Sequence, residues 1–140
     1  MGFLQLFGER FDEVLLRSYE HIQLAGSACL TAICIGVPLG MFIARRRYIA
    51  GIVLWFTGLV QIIPSIAMLA LLLVLLGRMG FLPAYVALVL YALLPVTQNT
   101  YSGMQNVDSS ILEAADGMGY TRRQRLWCIE LPLASPIILA

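Results

Sequence analysis

Three long stretches of this chain carry no Asp, Glu, Lys or Arg: His21 to Ala44, Tyr48 to Gly77 and Met79 to Val107. A helix over the first rises about 36 Å, enough to cross a hydrocarbon core about 30 Å thick. The third is apolar mainly between Phe81 and Val96, and a fourth apolar run begins at Leu131 and continues to Ala140. The pattern predicts an all-α fold, a polytopic transmembrane helical bundle with spans at about 21–44, 49–76 and 81–100. A polar loop at 101–131 and the start of another span at 132–140 complete it. Residues 1–20 differ: Glu9, Arg10, Asp12, Glu13, Arg17 and Glu20 are mixed with Phe3, Leu4, Leu6, Phe7 and Phe11. That mixture predicts a segment lying at the membrane interface.

Composition agrees, with 60% hydrophobic and 12% charged residues and a mean hydropathy of +0.85, the profile of a membrane protein. All nine basic residues are arginine. A P-loop needs a lysine on the nucleotide phosphates, so any ATP chemistry is expected from a partner. Cys29, Cys34 and Cys128 show no metal-ligand spacing, and they are expected as packing residues. Arg45, Arg46 and Arg47 follow the first span, and Arg122, Arg123 and Arg125 follow the third. Under the positive-inside rule both loops are cytoplasmic, which places the N-terminus outside and makes the first span an uncleaved signal.

Helix breakers punctuate the spans: Gly36, Pro38 and Gly40 in the first, Pro64 in the second, Pro95 in the third. Pro64 frees the carbonyl of Val60, and Gln61 and Ser65 beside it are placed to bond freed backbone groups. Gln61, Pro64, Ser65 and Pro95 are therefore candidates for a kinked, pathway-lining surface, although a tolerated proline kink explains the same residues. The polar run Thr97 to Tyr101 is read as a helix leaving the membrane.

The stretch Glu113 to Pro132 has a different grammar. Asp108 or the Ser110/Glu113 capping box starts a short helix, and Gly119 stands where a left-handed residue would end it. Thr121 and Gln124 form a second capping box, so another short helix is expected to about Glu130, stopping before Pro132. Small Ala114 and Ala115 allow another protein's groove to approach, with Glu113 and the arginines at the border. The loop holds no nucleophile–base pair and no cluster of metal ligands, which suits docking rather than catalysis.

The spacing Glu113-Ala114-Ala115, three residues, Gly119, nine residues, Ile129-x-Leu131-Pro132 resembles the EAA loop of the permease subunits of binding-protein-dependent ABC importers. "GVPLG" at 36–40, "QIIPSIAMLALLL" at 61–73 and "YALLPVTQNTYSGMQNVD" at 91–108 are similar to the osmoprotectant branch, importers of glycine betaine, choline and carnitine. Ser109, Asp116 and Gln98 depart from that branch's usual pattern. The resemblance implies that the loop is a cytoplasmic helix-turn-helix gripped by an ATP-binding subunit. It also implies a second permease subunit, in a homo- or heterodimer, and an extracytoplasmic substrate-binding protein, all in a bacterial or archaeal plasma membrane. No cofactor, metal or catalytic residue is implied, since ATP hydrolysis belongs to the partner. Family permeases carry further helices after this loop, so the chain is expected to be a fragment of a longer permease.

Rival readings remain: a permease for another small solute such as ergothioneine or an amino acid, or a channel or scaffold without ATP coupling. A nucleic-acid-binding helix-turn-helix fits poorly, because the pair is flanked by membrane spans and Arg125 occupies a position that motif keeps apolar. Trp55, Phe56, Tyr85 and Tyr91 are expected to pack against lipid or core rather than line a pathway.

Overall fold

The computed structural model describes residues 10–140, Arg47 by its backbone alone. The expectations for residues 1–9 lie outside the described residues. Helix α1 (Phe11–Ala44) leads through a tight turn to α2 (Arg47–Ile62), α3 (Ser65–Leu76) and α4 (Phe81–Gln105). Short α5 (Ser109–Gly117) and α6 (Arg122–Arg125), a π-helical turn (Leu126–Glu130) and α7 (Leu131–Ile138) follow. The fold is all-α.

Helices α1 and α4 are each long and apolar enough to cross a membrane. The 34 residues of α1 extend about 51 Å, well beyond the hydrocarbon core. Its first turns are the charged residues 11–20, which continue without a break into the apolar part. Where one kinked span was expected over 49–76, α2 and α3 are separate helices bent by 93°. The cause is local: Ile63 (ψ 124°) and Pro64 (ψ 138°) are both extended. The proline ring drives the preceding residue out of the helical region, and two successive extended residues make a corner instead of a kink.

Helix α4 is the central element, packed by α1, α2, α3 and α7. On α1 the residues facing it are small at every fourth position, Ala28, Ala32, Gly36 and Gly40, and all are buried. In lipid no hydrophobic force draws helices together, so close backbone approach supplies the attraction. A Cβ placed on Gly40 would stand 2.5 Å from Thr100 Cβ and 2.8 Å from the Thr97 carbonyl oxygen, so only glycine fits. Thr97 and Thr100 are fully buried in this contact. Through the polar run 97–101, α4 continues to Gln105 and buries Thr97 and Thr100 against α1. Thr100 donates to the Val96 carbonyl at 2.7 Å, while the buried Thr97 hydroxyl has no partner.

On its other side α4 meets α3 through Met68, Leu72 and Ala87. Thr31 and Tyr85 share a 2.6 Å hydrogen bond across α1 and α4. At the far end Gly103 receives the backbone of Ala134, whose carbonyl oxygen would lie 3.0 Å from an added Cβ. Helix α6 was expected to end before Pro132; instead it runs on through the π-helical turn into α7. The Leu131 N–H bonds the Leu126 carbonyl, five residues back. This wide turn carries the helix past Pro132, which falls in the first turn of α7. Pro136 leaves the Pro132 carbonyl without its helical donor, and the Ser135 hydroxyl supplies one at 2.8 Å.

Candidate functional site

The loop after α4 is built from its caps. Asp108, not Ser110, starts α5, its carboxylate accepting the Ser110 N–H at 2.9 Å. That backbone bond holds the Asp108 carboxyl below its ordinary value. Helix α5 ends in a Schellman arrangement: Tyr120 N–H to the Ala115 carbonyl, Gly119 N–H to the Asp116 carbonyl, with Gly119 left-handed at φ +83°. Thr121 and Gln124 then exchange both bonds of the expected capping box. Helix, glycine turn and helix follow as the sequence implied.

The motif residues do not share one surface. Glu113, Ala114 and Gly119 are exposed, while Ala115 is fully buried inside the chain. Ala115 thus does not face outward. Ile129 and Leu131 are half-buried at the π-helical turn, and Pro132 is exposed. Beside Glu113 and Ala114, Ile111, Met118, Tyr120 and Trp127 are exposed large apolar side chains, an uncommon concentration for a polar loop.

The pathway candidates cluster at the α2–α3 corner. Pro95 deprives the Tyr91 carbonyl of its helical donor, and Gln61 Nε2 donates to that oxygen at 3.3 Å. In return the Tyr91 hydroxyl donates to the Ile63 carbonyl, freed at the Pro64 corner. Gln61 therefore serves α4 rather than Val60 in its own helix. Ser65 and Tyr91 line a cavity of about 300 Å³ with Ile66, Leu69, Ala84, Ala87 and Leu88. Trp55 and Phe56 point outward, edge to face, and are exposed. Cys29, Cys34 and Cys128 are also exposed, against the expectation that they pack inside this chain.

The pairing of four charged residues escaped the sequence reading. Arg125 donates to Asp116 at 2.5 Å and to Glu130 at 2.8 Å, and Arg45 stands 3.7 Å from Glu130. The Glu130 side chain is 7% exposed, and a buried carboxylate is tolerated only when paired. Its hydrogen bond, ahead of the Asp116 charge, raises the Arg125 pKa further. One signal was available: a lone carboxylate inside the apolar run 126–140 needs a partner. Which arginine answers it depends on how the chain folds back.

Apolar helices gathered on a central one, with a capped loop that turns at Gly119 and presents an exposed glutamate and apolar side chains, define an integral membrane component. Residues 36–140 match the binding-protein-dependent transport system inner membrane component, and the chain belongs to that family. It is 41% identical to the glycine betaine/carnitine/choline transport system permease protein OpuCB of Bacillus subtilis, over all of this chain and 63% of the relative. It is 39% identical to the choline transport system permease protein OpuBB of the same organism, over 99% of this chain and 62% of the relative. With the osmoprotectant import permease protein OsmW of Salmonella typhimurium it shares 39% identity over 86% of its length and 58% of the relative's. The chain thus spans about three fifths of the length of the curated relatives it matches.

Proposed function

We propose that this chain is the larger part of the permease subunit of an ATP-driven importer for a small quaternary amine such as glycine betaine, choline or carnitine. The observation that carries the reading is the loop 108–132, where Glu113 and Ala114 stand exposed on a firmly capped helix between apolar elements. Such a surface suits a groove on an ATP-binding subunit, and Ile111, Met118 and Tyr120 add apolar area for it. The loop is on the cytoplasmic side, with Arg45, Arg46, Arg122, Arg123 and Arg125, and the N-terminus is outside. ATP binding closes a pair of ATP-binding subunits, the loop moves with them, and two permease subunits switch the side to which their pathway opens. An extracytoplasmic binding protein delivers the solute and supplies most of the selectivity. The substrate class rests on the choline and glycine betaine/carnitine/choline transport systems to which the two Bacillus subtilis relatives belong.

The test is uptake of labelled glycine betaine by cells lacking their own osmolyte importers. The chain is expressed with its ATP-binding subunit and binding protein, as it stands and continued past Ala140. ATP-dependent uptake by the longer version supports the reading. ATPase binding without uptake of glycine betaine, choline or carnitine keeps the coupling and overturns the substrate. Replacing Gly119 by valine, which strains its left-handed backbone in otherwise open space, is expected to abolish uptake and leave insertion intact.

A further inference from the structure

Glu130 is the one buried charged side chain among the described residues. It stands at the base of α7, and the ion pairs around it link separate parts of the chain. Asp116 in α5 holds Arg125, Arg125 holds Glu130, and Glu130 faces Arg45 at the C-terminal cap of α1. Gln105 Nε2 donates to the Ala44 carbonyl at 2.6 Å, so the end of α4 is tied to the same turn. Two carboxylates against two guanidiniums leave the group electrically neutral. A cleft of about 710 Å³, lined by Arg45, Gln105, Asp116, Arg122, Arg125 and Glu130 among others, opens between the loop and the helix ends.

We propose that Glu130 is a positioning residue, a joint through Arg125 and Arg45 that makes the loop and the α1–α2 turn move as one body when the ATP-binding subunit moves α5. The inference rests on the coupling function proposed above. Its links have unequal strength. Arg125 to Glu130 is short and mostly buried, whereas Arg45 is 47% exposed and 3.7 Å away. A pair of that length whose guanidinium is half exposed contributes little to stability. Its value lies in joining α1 to the loop, so that a displacement of α5 carries the α1–α2 turn with it. A purely stabilising role would be served as well by apolar side chains of similar volume.

The experiment uses the permease continued past Ala140, assembled with its ATP-binding subunit and binding protein in proteoliposomes. Arg45→Gln and Glu130→Gln are each expected to keep ATP hydrolysis within about twofold while betaine moved per ATP falls about tenfold. Arg45→Lys restores transport, and the double variant is no worse than the worse single one, because one link has been cut twice. Unchanged transport per ATP in Arg45→Gln, or losses that multiply in the double variant, overturns the proposal. If Glu130→Gln does not fold, Arg45→Gln carries the decision. Hydrogen exchange of the unsubstituted complex supplies a readout that needs no solute. Nucleotide is expected to alter residues 113–119 and 43–47 together, and in Arg45→Gln only 113–119. Independent responses in the unsubstituted complex also overturn it. Failure of the parent reading shows separately, as an unsubstituted chain that binds no ATP-binding subunit, and takes this joint with it.

Discussion

At the scale of single residues, the closest tolerance among the described glycines is at Gly40. Thr100 Cβ and the Thr97 carbonyl leave no room for a side chain there, whereas a Cβ on Gly26, in the same helix, meets nothing within 4 Å. Gly40→Ala is therefore expected to push α1 off α4 and destabilise the protein by about 1–3 kcal/mol. Gly26→Ala is expected to be neutral or stabilising by up to about 1 kcal/mol, through helix propensity alone. Thermal unfolding of both variants in detergent checks the contrast; equal effects would mean that the α1–α4 approach is looser than described. Both glycines are equally visible in the sequence. Their opposite tolerance comes from the partner helix, which a residue pattern on α1 does not specify.

Among the elements, α5 owes its start to one charged side chain. Asp108 is held below its ordinary carboxylate value by the Ser110 N–H, so its ionised form is the one that favours the cap. For a carboxyl with a depressed folded-state pKa, the contribution is present above the unfolded value and disappears as pH falls through the folded one. Amide exchange at Ser110 to Leu112 is expected to quicken several-fold, relative to the intrinsic rate, as pH drops below about 4. Asp108→Asn is expected to retain the cap and lose that pH dependence, and Asp108→Ala to exchange fast at every pH. A profile in Asp108→Asn identical to that of the unsubstituted chain would assign the effect to another group. The caps at Gly119 and Thr121 were legible because capping is local chemistry over a few residues. The continuation through Pro132 was not, since a π-helical turn gains its place from the packing of α7 on Gly103.

For the whole molecule, the proposed topology puts the loop and the arginine turn on one side and the α3–α4 connection on the other. Cysteines placed singly at Gly117 and at Met79, in a background lacking Cys29, Cys34 and Cys128, offer a direct check. An impermeant maleimide applied to intact cells is expected to label Met79→Cys, while Gly117→Cys requires permeabilised cells. The reverse pattern would invert the topology, and labelling of both from outside would remove α4, the one span between the two sites, as a crossing helix. The exposed surface of Trp55, Phe56 and Val74 belongs to this scale, being apolar area that the described residues leave uncovered.

Charge-free runs longer than a bilayer is thick, arginines grouped beside two of them, and a capped loop around Gly119 are properties of adjacent residues. The amino-acid order therefore determined the all-α membrane character, the approximate helix positions and the loop motif. Other features join residues far apart in the chain: the 93° corner secured by Gln61 and Tyr91, the burial of Thr97 and Thr100, and the meeting of Arg45 with Glu130. Those were decided by the way α4 gathers the other helices, because a contact between distant residues depends on packing, and neither residue's neighbours in sequence carry that information.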